Sequence, residues 1–81
     1  MYYVYMLLSK DNLKHTYVGY TNNLIKRVKL HNTGNGAKFT RGRSWKVIYK
    51  KKFDNKSEAI KEEFSLKKNY KLRKKIKEKY L

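Results

Sequence analysis

The chain has 81 residues and a formal net charge of +16, from 22 Lys and Arg residues against 6 Asp and Glu residues. This length suits one small domain, so we expect a single domain over residues 1–81. The sequence has no Cys, which excludes a disulfide framework and a thiolate metal site. No stretch approaches the ~20 apolar residues of a membrane span, and the apolar segment 1–8 is too short for a signal peptide. We therefore expect a cytoplasmic protein.

The charge predicts the kind of partner. A surface this basic attracts polyanions and releases their counterions, so DNA is the expected partner, with RNA as the second candidate. An anionic membrane fits less well, because the basic segments lack the bulky apolar face of an interfacial helix. The alternative without a partner is a solvated, Lys-rich surface that reflects a biased genome.

The first two segments are typical of strands. Aromatic and branched residues dominate 2–8 (YYVYMLL) and 15–20 (HTYVGY), and the polar segment between them contains the turn signal Asp11-Asn12. We expect these strands to form a hairpin.

A helix and a loop follow. Residues 21–23 (TNN) offer N-cap side chains for a helix that runs to about Asn32. Residues 33–44 contain three Gly and several cations, which is typical of a flexible basic loop. We expect the buried stripe of this helix to consist of Leu24, Ile25 and Val28.

Residues 45–53 (WKVIYKKKF) predict a third strand, with Val47 and Tyr49 on one side and alternate lysines on the other. Asn55 and Glu58 then fit a capping box at the start of a second long helix.

That helix is expected to end at about Asn69. Residues 70–81 place apolar side chains four apart, which predicts a last amphipathic helix with a basic outer face. The element order predicts an α/β fold of the α+β type, in which three helices cover a mainly antiparallel three-stranded sheet in the order ββαβαα. The apolar side chains of the last helix are Leu72, Ile76 and Tyr80.

Glu63 is the first candidate functional residue. At about 100° per residue, it falls inside the apolar arc of the second long helix, where an unpaired carboxylate costs several kcal/mol. A divalent metal would explain its position, and a salt bridge to Lys67, four residues later on the same side, would explain it equally well. The apolar arc consists of Ala59, Ile60, Phe64, Leu66 and Tyr70.

Arg27 and His31 lie four residues apart and should share one face of the first helix. An Arg can bind phosphate oxygens with two N–H groups, and a His can take or pass a proton near neutral pH. The alternatives are a solvated or phosphate-positioning Arg27 and a His31 that only makes surface or structural hydrogen bonds.

Tyr5 and Tyr17 can point to a common spot, because alternate residues of a strand share a face. A Tyr hydroxyl can relay a proton or position a water, although strands also favour Tyr for packing alone. Gly19 fits a close approach of backbone or ligand.

These motifs, in this order, resemble the GIY-YIG nuclease domain, most closely its minimal single-domain bacterial members. The GIY element would be Tyr3-Val4-Tyr5 and the YIG element Tyr17-Val18-Gly19. The family pattern places an Arg ten residues after the YIG Tyr and a His four beyond it, where Arg27 and His31 stand. The stretch 59–67 (AIKEEFSLK) is similar to the family's Ala-xxx-Glu-xxx-Lys signature.

The resemblance implies roles for these residues. Tyr5 and Tyr17 would be the two active-site tyrosines, with Tyr17 aligning or activating the attacking water and His31 assisting. Arg27 would contact the scissile phosphate, and Glu63 would hold a single Mg²⁺ or Mn²⁺.

The chain departs from the family pattern in two places. The first triplet begins with Tyr3 rather than Gly, and Tyr20 stands where some relatives have a Lys. A second active-site cation would then come from Lys26 or Lys38. We expect phosphate contacts from the cations Lys26, Lys38, Arg41, Arg43, Lys67 and Lys68.

We therefore expect a metal-dependent endonuclease that hydrolyses DNA phosphodiesters in DNA repair or processing. Its basic loop and last helix would make sequence-independent contacts, which favours selectivity for single strands or for DNA structure. One alternative is a basic nucleic-acid-binding module that keeps this fold without turnover. Another is a small ribosome-associated or structural RNA-binding protein, for which only charge and size argue.

The charge generates the first testable prediction. The logarithm of the DNA association constant should fall steeply and linearly with the logarithm of salt concentration, because each neutralised phosphate releases a counterion. Fluorescence anisotropy titrations over a salt series measure this slope. A flat response would contradict an electrostatic interface built on residues 38–43 and 71–79.

Overall fold

The central strand β1 (Tyr2–Ser9) lies between β2 (Thr16–Thr21) and β3 (Trp45–Phe53) in an antiparallel sheet. The structure, a computed structural model, describes residues 1–81. The helices are α1 (Leu24–Asn32), α2 (Lys56–Lys68) and α3 (Tyr70–Tyr80). The predicted α+β fold and the order ββαβαα are confirmed. None of the three helices has the length and apolar character of a membrane-spanning segment.

Both faces of β1 are covered, which explains its near-continuous apolar sequence. On one face, Val4 and Met6 pack with Ala59 and Leu66 of α2. On the other face, Tyr5 and Leu7 pack with Trp45, and α1 closes over them through Leu24 and Val28. The strand thus places Tyr5 under α1 on the face opposite the larger cluster.

Three Asn side chains fix where the helices begin. Asn23 accepts a hydrogen bond from the Lys26 N–H at the start of α1, and Asn69 accepts one from the Leu72 N–H at the start of α3. Asn55 Oδ1 accepts from the Glu58 N–H, so the predicted cap of α2 is confirmed. The Glu58 carboxylate accepts from the Asn55 side-chain amide rather than from the backbone N–H of a capping box.

The predicted facing of β3 was wrong. Tyr49 pairs with Met6, and Val47 pairs with Leu7, which leaves Ile48 as an extra residue in a β-bulge. One extra residue reverses the faces beyond it. Tyr49 therefore packs on the Val4 and Met6 face, whereas Val47 packs on the Tyr5 face.

The predicted stripe of α1 was wrong at Ile25, which is 85% exposed. The helix meets the sheet through Leu24, Val28 and His31. These residues follow the i, i+4, i+7 spacing of one helix face, so Ile25 points away from the sheet.

The predicted apolar arc of α2 is buried only at Ala59 and Leu66. These two residues lie seven apart, so the buried face also contains the positions between them, including the half-buried Glu63. Of the three apolar side chains predicted for the buried face of α3, only Ile76 is half-buried. The remaining apolar side chains of the two predicted faces are exposed, so those predictions were wrong at these positions, which are Ile60, Phe64, Tyr70, Leu72 and Tyr80.

Candidate active site

A buried hydrogen bond joins the central strand to α1. The Tyr5 hydroxyl and Nε2 of His31 are 2.8 Å apart, and both side chains are buried. On its other side, Nδ1 of His31 lies 2.9 Å from Oγ1 of Thr40. The loop between α1 and β3 thus reaches into the core to hold the histidine.

The direction of these bonds follows from the Thr40 hydroxyl, which has one proton. Thr40 Oγ1 donates to the Ala37 carbonyl at 2.9 Å, so it must accept from His31. This assigns the ring proton of His31 to Nδ1 and leaves Nε2 to accept from the Tyr5 hydroxyl. Burial lowers the pKa of His31, and the nearby Arg27 guanidinium lowers it further, so both favour the neutral ring that this arrangement requires.

Hydrogen bonds to Trp45 hold the loop that carries Thr40 in place. The Trp45 indole donates to the Thr40 carbonyl at 2.9 Å. The Asn32 side chain in turn exchanges two hydrogen bonds with the backbone of Trp45. Thr40, Asn32 and Trp45 therefore lock the loop onto the end of α1.

Two glycines give the aromatic side chains room. Gly19 pairs with Tyr5 across the hairpin, and a Cβ on Gly19 would lie 2.5 Å from the Tyr5 hydroxyl oxygen. A Cβ on Gly36 would overlap the ring of His31. Gly19 does allow a close approach, but the group that approaches it is the Tyr5 hydroxyl rather than the predicted backbone or ligand.

An open cleft of about 400 Å³ lies beside this buried pair. Its walls bring together Tyr5, Tyr17, Arg27 and Glu63 from four different elements. The ring of Tyr17 lies with its centroid 4.9 Å from that of His31 and 6.5 Å from that of Tyr5. The remaining lining residues are Tyr2, Gly19, Tyr20, Thr21, Asn22 and Lys56.

The sequence left open whether Glu63 serves a metal site or a salt bridge to Lys67, and the structure is compatible with both. Its side chain is only 16% exposed and forms an ion pair with Lys67 at 3.5 Å, and it also lines the cleft. No group of three His, Cys, Asp or Glu side chains forms anywhere in the chain. A lone carboxylate fits Mg²⁺ or Mn²⁺, which accept one or two protein carboxylates and fill their other positions with water and phosphate oxygens.

Electrostatics keep the Tyr5 hydroxyl protonated. Burial raises the pKa of Tyr5 strongly, the neighbouring Tyr17 and Glu63 raise it further, and only Arg27 lowers it. In the resting protein this hydroxyl is therefore a hydrogen-bond donor to His31, while its oxygen can still accept a bond from the cleft.

None of the cations predicted to contact phosphates lines the cleft. Lys26 lines an adjoining depression beside Arg27. Arg43 forms an ion pair with Asp11 at 3.6 Å, and the Lys68 ammonium lies 4.2 Å from the Phe64 ring centroid. Lys38, Arg41 and Lys67 are exposed.

Neither Lys26 nor Lys38, the two predicted sources of a second cation, lines the cleft; Lys56 does. Lys56 is the first residue of α2 and directly follows the cap Asn55, which is the signal that could have identified it. Thr40 was also missed, because nothing local distinguishes a Thr that reaches a His nine residues earlier.

The hydrogen-bond chain predicts the tautomer of His31. Long-range ¹H–¹⁵N spectra of the imidazole should show the proton on Nδ1 in the wild-type protein. Thr40→Val removes the acceptor of that proton and should shift the ring toward the Nε2–H form, whereas Thr40→Ser should keep Nδ1–H. An Nε2–H ring in the wild-type protein would contradict the assigned direction.

Several known proteins are similar to this chain. The sequence profile of the GIY-YIG catalytic domain matches residues 1–77. UPF0213 protein OB0043 of Oceanobacillus iheyensis is 54% identical over 67 residues, which cover 82% of this chain and 76% of that protein. UPF0213 protein CPE1444 of Clostridium perfringens is 52% identical over 69 residues, with 84% and 72% covered.

A solved structure shares the fold. The solution NMR structure of the UPF0213 protein BH0048 from Bacillus halodurans matches with a TM-score of 0.53 and 38% identity, covering 93% of this chain and 80% of that one. With the profile match over nearly its full length, the chain belongs to the GIY-YIG catalytic domain family.

Proposed function

We propose that this protein is a metal-dependent endonuclease that hydrolyses phosphodiester bonds of DNA in cytoplasmic DNA repair or processing, with selectivity for single strands or for DNA structure. The family membership supports a nuclease. The observation that carries the proposal is the convergence of Tyr5, Tyr17, Arg27 and Glu63 on one cleft, with the Tyr5 hydroxyl bonded to a neutral histidine.

The buried pair supplies a route for the proton of the attacking water. A water that donates to the Tyr5 oxygen passes its proton there as the Tyr5 proton moves to Nε2 of His31. The relay never requires a free phenolate, which the raised pKa of Tyr5 disfavours. Thr40 accepts the Nδ1–H bond throughout, so it orients the ring and stabilises the imidazolium that forms.

Tyr17 has a position suited to aligning the water. Its ring lies against His31 and also borders the cleft, so its hydroxyl can hold a second bond to the nucleophile without breaking the bond between Tyr5 and His31. Tyr5 thus takes the proton, and Tyr17 sets the direction of attack.

The cations of the cleft stabilise the charge that develops on the phosphate oxygens. Arg27 can bind two of those oxygens at once, and Lys56 enters the cleft from the first turn of α2. A divalent ion on Glu63 would polarise the same phosphate and stabilise its leaving oxygen. The Lys67 ammonium would then exchange the carboxylate for a phosphate oxygen, which suits its exposed position.

The ion pair between Glu63 and Lys67 is the observation that favours a second function. If the pair persists when nucleic acid binds, the carboxylate is satisfied without a metal. The protein would then be a basic nucleic-acid-binding module that has this fold and does not cleave.

Glu63→Gln should abolish cleavage and leave DNA binding largely intact, because an amide is a poor Mg²⁺ ligand of nearly the same shape. The assay uses labelled single-stranded, duplex, flap and four-way-junction DNA and an RNA strand, each with Mg²⁺, Mn²⁺ or EDTA. The Lys67 side chain of the ion pair is 52% exposed, so the pair contributes only about 1 kcal/mol, and the melting temperature should change little.

Glu62→Gln is the matched control. Glu62 is the adjacent carboxylate of α2, is also half-buried and pairs with Lys51 at 3.9 Å, so its variant should cut at the wild-type rate. Cleavage by the Glu63→Gln protein, or cleavage in EDTA, would contradict the metal role. No cleavage of any substrate by the wild type would favour the binding module.

Tyr5→Phe should slow cleavage by roughly 10²–10⁴-fold, the range typical of lost acid–base help. Because Tyr5 and His31 act as one relay, the double variant Tyr5→Phe/His31→Gln should be no slower than either single variant. Single-turnover rates measure this directly.

Tyr17→Phe should also slow cleavage, but its effect should add to that of His31→Gln, since its hydroxyl acts on the water separately. Tyr3→Phe, on the same strand as Tyr5 and outside the cleft lining, should have a mild effect. Additive losses for Tyr5 and His31 would show that the proton does not pass between them.

A further inference from the structure

Phe39 is more than half exposed, at 55%, although it lies beside the candidate active site. Burying a Phe side chain is worth roughly 1.5–3 kcal/mol, so an ordered, exposed ring next to a cleft suggests a use for its surface. Its neighbours along the loop are cationic, with Lys38 before it and Arg41 and Arg43 after it.

The position of Phe39 is fixed by its neighbour in the chain. Thr40 is fully buried and held by His31, by the Ala37 carbonyl and by the Trp45 indole. A ring on the adjacent residue is thereby anchored, although the segment has no regular secondary structure. Little conformational entropy of the ring therefore remains to be lost when a ligand binds.

The Phe39 ring lies roughly parallel to the ring of Tyr17 in β2 and to that of His15, the residue just before β2. Its centroid is 6.1 Å from that of His15 at an interplanar angle of 25°, and 6.4 Å from that of Tyr17 at 20°. The rings of His15 and Tyr17 both stack with that of Phe39, so together the three rings form an aromatic platform at the surface.

A shallow depression of about 320 Å³ connects this platform to cationic side chains. Phe39 and Tyr17 line it, and Lys67 and Arg73 stand at its border. Tyr17 also lines the cleft with Arg27 and Glu63. The aromatic platform and the candidate catalytic cleft therefore share one side chain and adjoin each other.

We propose that Phe39 stacks on an unpaired nucleobase next to the scissile phosphate, while Lys67 and Arg73 contact the flanking backbone. This inference rests on the proposed nuclease function and names its substrate class, a single-stranded polynucleotide. Base–aromatic stacking requires a free base face and is tolerant of sequence. In a duplex the neighbouring base pairs cover those faces, so a paired strand cannot use the platform.

The test measures binding in the Glu63→Gln background, so that no cleavage is needed. Short single strands of DNA and RNA carry 2-aminopurine at successive positions, and each is compared with its duplex. Phe39→Leu should weaken binding of single strands by about tenfold, as expected for one lost stack. It should also abolish the fluorescence quenching at one position and change duplex affinity by less than about twofold.

Phe39→Trp retains a stacking face and should keep the affinity for single strands. Phe64→Leu is the matched control, since Phe64 is 58% exposed on α2 and does not line the depression; it should change neither affinity. A loss for Phe39→Leu that is equal for single strands and duplexes, or no loss, would overturn the proposal.

A second measurement does not depend on a folded Phe39 variant. The chain has three Phe residues, so selectively labelled rings can be followed individually by NMR. The Phe39 ring resonances should move upfield on addition of a single strand and not of a duplex, while those of Phe64 stay in place. If the protein cuts DNA but the Phe39 resonances do not shift, the stacking is rejected and the nuclease function stands. If the resonances shift but the protein never cuts, the stacking stands and the nuclease function is rejected.

Discussion

The hydrogen bond between the Tyr5 hydroxyl and His31 is the constraint on which the candidate site depends. Both groups are buried, and a buried polar group without its partner costs about 1–3 kcal/mol. The strand and α1 can pack together only in the arrangement that satisfies both. The fold therefore requires Gly19 to be small, because its backbone lies against the Tyr5 hydroxyl, and it requires the loop to bring Thr40 to the other ring nitrogen.

The charge distribution adds a second constraint. The chain carries a formal charge of +16, and self-repulsion at that charge destabilises the compact state. Ion pairs offset little of it, since the three present all involve exposed or half-buried side chains. A polyanion that neutralises this surface should therefore stabilise the fold as well as bind to it. Within the site, the Arg27 guanidinium favours an anion in the cleft. It also lowers the pKa of His31 and so helps to keep that ring neutral.

Local patterns in the sequence predicted the elements because their causes are local. Asn55 caps α2 and bonds to Glu58, and the apolar run of β1 is covered on both faces.

The predictions that failed depended on distant packing. The bulge at Ile48 is set by the pairing of β3 with β1. The exposure of Ile25 follows from the face that α1 turns to the sheet, which contains Leu24, Val28 and His31. The resemblance to the family indicated Tyr5, Tyr17, Arg27 and Glu63, which do meet at one cleft. Thr40 enters the site through the tertiary fold alone, so no spacing in the chain could indicate it, whereas the cap at Asn55 could have indicated Lys56.

Tyr17 shows why a tyrosine in a strand is hard to classify from the sequence. A residue that packs in a core is usually enclosed, and a residue that acts on a ligand is usually exposed. The ring of Tyr17 packs against His31 and Phe39, yet the same side chain borders both the cleft and the neighbouring depression. Packing and chemistry are therefore not alternatives at this position, because the contacts that hold the ring are the contacts that aim its hydroxyl.

The same reasoning extends to the loop. Thr40 points inward to the histidine and Phe39 points outward to solvent, so a movement of this segment that displaced the exposed ring would also loosen the buried relay.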